Sequence, residues 1–436
     1  MLAMRLNPNG RQQLYGDASM EFDQSKVKEF YEQHPYPFRT AEPEKLPIQV
    51  GLPSDIRFIN HHVFEGRRDF SKPFRMLVAG GGTGDAVVGL GSQLKALNCP
   101  AEITYIDLSE ASRAIAERRA TAAMIPNTRF LLGRIQDLPD LVSGKFDYID
   151  FCGVINHVGD QAAVLSVLSS LVAPGGGIGV MAYGTLGRSG VYQVQEMLRA
   201  VGAHRSPDGV AMARALIESL PATSQLKRNP VFENNTTISD VEIADRYLNP
   251  SDRSFTVEEL QDLAEGAGLK IAAFAPSIFY NPMTLLRDEG LRNKVKSLSW
   301  IERCAFAEKM GGNIAMHNYY MIEPGRHPNP ERLIEDGSAI PTLVGLSYGA
   351  APRVQNNAYE MDINVGPQSR HVSLPGSEMT APILREIDGQ RTLKKIHKSL
   401  KANLSWRTFL REFLILYQGL HGAGNLVLST TPMPRI

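Results

Sequence analysis

The segment Phe74-Arg75-Met76-Leu77-Val78-Ala79-Gly80-Gly81-Gly82-Thr83-Gly84-Asp85 constrains this chain more than any other. An apolar run suited to a buried strand breaks into glycines, and apolar positions at helical spacing (Val87, Val88, Leu90, Leu94, Leu97) follow at once. A strand, a tight turn and a helix N-terminus in succession aim backbone N–H groups at a polar ligand. Glycine suits such a turn because it accepts positive φ and leaves room for a ligand where a Cβ would stand. A second apolar run, Ile103-Thr104-Tyr105-Ile106, ends in Asp107, the place for a carboxylate that binds ribose hydroxyls. The dinucleotide fingerprint would require Gly or Ala at position 85, which is Asp85; the spacing present is Gly-x-Gly-x-Gly at 80, 82 and 84. No Gly-Lys-Ser/Thr follows, which excludes a triphosphate-cradling loop.

From Phe74 onward, strand and helix patterns alternate. Strands are predicted at 103–106, 128–132, 146–151, 178–183, 270–274 and 314–322, with helices at 109–123, 160–172, 257–267 and 284–310. Thr256 and Glu259 make a capping box for the third of these helices. Such alternation implies an α/β fold, a doubly wound and mostly parallel seven-stranded sheet with ligands at the carboxyl ends of its strands. A polar, helical insertion interrupts the pattern over about 185–250. Ahead of the sheet domain (74–324), residues 1–73 read as an arm followed by a lid. A short amphipathic helix from Ser25 through Tyr31 is stopped by His34-Pro35-Tyr36-Pro37-Phe38-Arg39. Residues 325–436 read as a separate unit: a β-hairpin around Tyr359–Leu374, helices at 380–387, 392–400 and 405–418, and a strand at 426–428. This is the make-up of a winged helix.

Across 436 residues, 46 basic side chains balance 46 acidic ones, so no global field recruits nucleic acid or an anionic membrane. Cys99, Cys152 and Cys304 are too scattered for a disulfide framework or a zinc cluster. Without a secretory h-region or a membrane-length apolar run, the chain reads as cytoplasmic. Asn60-His61-His62 falls in a helical context, where neighbouring histidines point to different faces. They are therefore not expected to chelate one metal, and no metal is expected.

Over residues 74–323 the chain resembles the class I S-adenosylmethionine-dependent methyltransferases. The resemblance rests on Val-Ala-Gly-Gly-Gly-Thr-Gly-Asp, Asp107, Gly133-Arg134-Ile135, Cys152-Gly153-Val154-Ile155-Asn156-His157 and Leu171-Val172-Ala173-Pro174-Gly175-Gly176. It implies S-adenosylmethionine as cofactor. Gly80, Gly82 and Gly84 would let the loop meet its methionine part, Asp107 would hold its ribose and Arg134 and Ile135 would flank its adenine, with Gly81, Thr83, Leu108, Cys152 and Gly153 as further cofactor-binding residues. Two positions depart from the pattern: Val78 and Arg134 stand where acidic residues are often found. Tyr-Glu-Gln-His-Pro-Tyr-Pro-Phe and Gly-Arg-Ser-Gly-Val-Tyr look like those of a bacterial methyltransferase subgroup. The segment reads either as a rigid apolar clip onto the next domain or as a lid over a ligand, with Tyr31, Tyr36 and Arg39 as its polar contacts; by that likeness Pro-Tyr-Pro closes over the cofactor. The stretch Ile383–Leu393 is similar to winged-helix peptide-recognition modules.

Asn/Asp-Pro-Pro-Tyr, which serves amide and adenine N-methylation, is replaced here by Gly-Val-Ile-Asn-His-Val. His157 is the candidate base, and Tyr183, Arg188, Asn318 and Tyr319 are candidates for the acceptor pocket. The leading expectation is methylation of a peptide or protein side chain. A small-molecule methyltransferase whose tail forms a homodimer is the second, and a winged-helix nucleic-acid regulator the third. From Ala381 onward nine Lys/Arg face three Asp/Glu, but Glu386, Asp388 and the aromatic helix 405–418 argue against nucleic acid.

Overall fold

Seven apolar runs pair as the alternation predicts. In the computed structural model these strands are β1 (Phe74–Ala79), β2 (Ala101–Asp107), β3 (Thr128–Leu132), β4 (Phe146–Cys152), β5 (Val172–Tyr183), β6 (Lys270–Phe274) and β7 (Met316–Ile322). The structure describes residues 23–40, 50–232, 237–349, 354–400 and 404–435; the expected N-terminal arm up to residue 22 and the Asn234-Asn235 loop lie outside them. The spatial order is β3-β2-β1-β4-β5-β7-β6. β7 runs antiparallel to both neighbours, and the other pairings are parallel. The central strands are covered on both faces, which is why β1 carries an unbroken apolar run, Met76–Ala79, rather than an alternation. The order turns back at β1/β4, so the loops after these strands flank the crevice where ligands of such sheets bind.

Most helix boundaries follow local chemistry. Thr256 Oγ1 accepts from the Glu259 N–H at 3.3 Å, and Glu259 accepts from the Thr256 N–H at 2.8 Å, so the box opens Val257–Gly266 as expected. The single helix expected at 284–310 is instead two, Glu289–Lys296 and Trp300–Gly311. A second capping box, Ser299 with Glu302, satisfies the free N–H groups of a new helix there, so the first one stops.

The tail contains the expected hairpin, β9 (Ala358–Val365) with β10 (Gln368–Pro375), and helices Thr380–Glu386, Leu393–Ser399 and Trp406–Gly422. One strand escaped the sequence: β8 (Ile340–Leu343), which pairs antiparallel with β11 (Leu426–Ser429) in a sheet of its own. The tail packs directly on the sheet domain. One continuous apolar cluster joins Leu77, Ile149 and Val180 of the sheet to Leu374, Ile383, Leu393, Phe409 and Leu420. Val427 and Met433 pack with Ile56, Ile59 and Val63 on the other face. The insertion has a small core of its own, built from Val191, Leu198, Ile217, Phe232, Ile243 and Tyr247. Among the described residues no helix is long and apolar enough to cross a membrane.

Candidate functional site

The glycine turn follows β1 and leads into helix Asp85–Ala96. Gly82 has φ +51°, and a Cβ there would stand 2.5 Å from the Tyr36 carbonyl oxygen. Gly84 has φ +99°, and its Cβ would stand 2.8 Å from that of Ala116. Only glycine serves at either position, one for conformation and a passing chain, the other for conformation and a neighbouring helix.

The loop's N–H groups, expected to be open to a ligand, are instead engaged. Gly80 and Gly81 donate to the Ile106 carbonyl, Gly84 donates to Gly81, and Thr83 donates to the Tyr36 carbonyl at 3.2 Å. Gly82 donates to Asp107 Oδ2 at 2.8 Å, while Ser109 donates to Oδ1 at 2.9 Å. Asp107 therefore holds the loop to the end of β2. Burial raises its carboxyl above the ordinary Asp range, and the Ser109 and Gly82 N–H groups oppose that shift. Leu108 follows it, half-buried.

The lid lies on this loop. Helix Gln24–Gln33 packs beside helix Glu110–Ala122, whose first N–H groups, Glu110 and Ala111, donate to the Glu32 carboxylate at 2.7 and 2.9 Å. Thr83 Oγ1 donates to the Pro37 carbonyl at 2.7 Å. Arg39 forks onto Asp85, with Nε 2.9 Å from Oδ1 and Nη2 2.6 Å from Oδ2, and Arg119 Nη1 meets the same carboxylate at 2.8 Å. Asp85, the residue that departs from the dinucleotide fingerprint, is thus a latch for the lid. Arg39 works through that latch, with its guanidinium spent on protein.

Opposite the loop, the insertion supplies groups that no motif announced. Asp245 is 4% exposed and lies in a π-helical turn, Ala244–Leu248. Tyr31 Oη donates to its Oδ1 at 3.1 Å and Tyr183 Oη to its Oδ2 at 3.4 Å; Asn249 Nδ2 donates to Tyr31 Oη at 3.0 Å. Tyr36 Oη donates to Glu242 Oε2 at 3.0 Å. His157 stands between two of these tyrosines, its ring centre 6.1 Å from that of Tyr31 and 5.8 Å from that of Tyr183, both edge-on. Its Nδ1–H donates to the Ser251 carbonyl at 2.5 Å. Burial raises Asp245 above the usual carboxylate range and pushes the Tyr31 and Tyr183 phenols up strongly.

The remaining sequence candidates fall elsewhere or play supporting parts. Arg188 is buried, ion-paired to Asp252 at 2.9 Å, and its guanidinium carbon lies 3.8 Å from the Tyr183 ring centre. It braces Tyr183 through a cation–π contact. Arg134 turns onto Asp137, Nη2 to Oδ1 at 2.6 Å, and closes a capping box with it. Ile135 is buried among the core residues. Cys152 Sγ lies 3.6 Å from Ser54 Oγ, and burial pushes the thiol far up, away from reactivity. Gly153 takes φ +76° as the chain leaves β4. Asn318 pairs across β5 with Met181, and Tyr319 packs on Phe274 inside the core, apart from the Tyr31–Tyr183–Asp245 group. Next to His157, the buried Asn156 donates through Nδ2 to the Arg253 carbonyl at 2.7 Å; its Oδ1 has no protein partner among the described residues. An orphan acceptor after β4 and a carboxylate closing β2 suit a polar ligand bearing a ribose.

The two histidines are joined by a third from the far end of the chain. The rings of His61 and His62 lie 5.0 Å apart on helix Ile56–Phe64, and both are met by His421 from the tail. Diverging faces do not prevent convergence when a third ring enters the cleft between them.

Comparisons with known proteins agree with this geometry. The family described as "Methyltransferase domain" matches residues 77–178, from β1 into β5. An uncharacterized protein of Synechococcus sp. is 30% identical over 319 residues, 70% of this chain and 72% of that one. The chain belongs to its family. It is a class I S-adenosylmethionine-dependent methyltransferase. A ubiquinone biosynthesis O-methyltransferase of Albidiferax ferrireducens is 32% identical over 89 residues, 20% of this chain and 34% of that one. Among solved structures, PKMT2 from Rickettsia typhi shares the fold, with a TM-score of 0.65 at 17% identity over 89% of this chain and 77% of that one. The same protein in complex with AdoHcy gives 0.64 at 16% identity over 90% and 78% of the two chains. The cofactor of this methyltransferase is S-adenosylmethionine, and the glycine turn and Asp107 remain the residues expected to meet it.

Proposed function

We propose that this methyltransferase acts on a side-chain amine of a peptide or protein. The observation that carries the reading is the convergence of the Tyr31 and Tyr183 hydroxyls on the buried Asp245 carboxylate beside the His157 ring. When bound, S-adenosylmethionine supplies an electrophilic methyl sulfonium. The chain's own residues align the acceptor and keep water out. An amine arrives as ammonium and cannot attack until it has lost a proton. Asp245 offers the ammonium a counter-charge in a dry setting, and tyrosine rings favour cations. With Nδ1–H committed to Ser251, His157 keeps the Nε2 lone pair to receive the proton. Asp252 occupies Arg188 and keeps it from competing for Asp245.

A small-molecule acceptor is the second reading. It is favoured by the enclosure of Asp245 and by a relative named for ubiquinone biosynthesis; under it the tail would mediate dimerisation. The deciding experiment supplies labelled S-adenosylmethionine and pure enzyme to a cell lysate. Label recovered as an N-methyl amino acid after acid hydrolysis of the protein fraction supports the amine reading. Label confined to small molecules, or released from protein by mild base as an ester, overturns it.

A further inference from the structure

His61, His62 and His421 lie on the side of the molecule where helix Ile56–Phe64 meets the last turn of helix Trp406–Gly422. One ring nitrogen of each lies within 4.8 Å of those of the other two. We infer that these three histidines form a site for a divalent first-row transition metal such as zinc, one that ties the start of the chain to its end.

Three observations carry this. His62 Nε2 is buried with no hydrogen-bond partner among the described residues, although His62 itself is only 8% exposed. A buried imidazole nitrogen left without a partner is costly, and a metal would satisfy it. His421 Nδ1–H donates to the Leu426 carbonyl at 3.0 Å, which fixes the tautomer and leaves the Nε2 lone pair free. Orientation of a ligating histidine by a backbone carbonyl is the usual outer-shell arrangement of metal sites. His61 has both states within reach. Its Nδ1 lies 3.0 Å from the Leu428 N–H, which donates to it, and 3.3 Å from the Leu428 carbonyl, to which it would donate once Nε2 is given to a metal. In the latter state Tyr417 Oη, 3.2 Å from that Nε2, is released to the ion or to a fourth ligand.

A tetrahedral ion holds its nitrogens roughly 3.3 Å apart, so the loosest pair must close by about 1.5 Å, within reach of side-chain rotation. Imidazole-only ligation with an open position suits zinc, copper, nickel or iron rather than calcium or magnesium.

The competing explanation is an aromatic stack, since His421 stacks on Tyr417 with ring centres 5.1 Å apart and His62 on Tyr320 at 4.8 Å. The test separates the two. Chelator-stripped full-length protein is titrated with Zn2+ and Co2+, reading stoichiometry, visible Co2+ absorption and thermal midpoint. One ion per chain, a tetrahedral or five-coordinate cobalt band and a raised midpoint are expected. His62→Ala and His421→Phe, the latter preserving the stack, should lose the band and the metal-dependent rise. Absence of stoichiometric binding in the wild type overturns the site, as does a cobalt band unchanged in both variants. Should either variant fail to fold, X-ray absorption of the wild-type cobalt form decides: three imidazoles support the site, and fewer than two sink it.

Discussion

Replacing Asp245 by Asn removes a charge while keeping shape, and the structure says what should follow. The folded state now holds a carboxylate that is 4% exposed and raised in pKa by its burial, so neutralising it relieves a desolvation cost. The amide can still accept from Tyr31 or Tyr183, leaving one neutral hydrogen bond weakened, about 1 kcal/mol. These effects oppose each other, and stability should change by no more than ~1 kcal/mol. Catalysis should suffer far more. The counter-charge for the incoming ammonium is gone, and losing one such electrostatic partner in a dry site is typically worth ~10²–10³ in rate, about 3–4 kcal/mol of barrier. The assay is single-turnover methyl transfer, with the dissociation constant of S-adenosylhomocysteine and the thermal midpoint measured on the same preparation. The expected result is a rate lowered at least ~100-fold with cofactor affinity and midpoint nearly unchanged. A variant with wild-type turnover, or one whose loss is matched by lost cofactor affinity, refutes the assignment of Asp245 to the acceptor.

Other consequences are as direct. Asp150 is 2% exposed, and burial raises its carboxyl from 3.8 to about 6, against the hydrogen bond from Ser54 Oγ. The folded state thus holds this proton more tightly than the unfolded chain. The stability it gives is complete below pH 3.8 and lost as pH rises through about 6, a change of about 3 kcal/mol. Asp150→Asn should therefore gain on the wild type over that window in urea titrations at several pH values; a constant difference would show that Asp150 does not titrate there. Gly82→Ala forces a residue into positive φ, costing about 1–2 kcal/mol, and drives its methyl into the Tyr36 carbonyl. Faster proteolysis near residues 35–40 is expected, and unchanged protection would mean the lid does not rest on the loop. Arg39→Ala should open the same lid while barely moving global stability, since the Arg39–Asp85 pair is partly exposed and Asp85 keeps Arg119. A fall in midpoint of more than a few degrees would contradict that.

What could be read in advance was local. The glycine turn, Asp107 and the Thr256 box are each defined by residues a few positions apart, and the strands by continuous apolar runs, so the seven-stranded sheet was legible. What escaped was long-range. Asp245 is 214 residues from its partner Tyr31, in a polar insertion whose pattern marks only a helical surface. His421 meets His61 from the far end of the chain, and β8 is a four-residue strand containing a proline, recognisable only beside β11. The tail's packing on the sheet domain was hidden for a related reason: periodicity shows which face of a helix is buried, not what covers it. Only the break at Ser299 could have been anticipated, because its partner Glu302 stands three residues on.

The most direct test of the cofactor loop is calorimetric titration of S-adenosylhomocysteine into the wild type and Asp107→Ala. Asp107 holds Gly82 and Ser109 through their N–H groups and is the carboxylate expected to meet the ribose. Losing a charged hydrogen-bond acceptor costs about 1.5–3 kcal/mol, or roughly 10–100-fold in affinity. One saturable site per chain in the wild type, weakened by about that factor in the variant, is the predicted result. No heat in the wild type, or equal affinity in both proteins, would contradict the account.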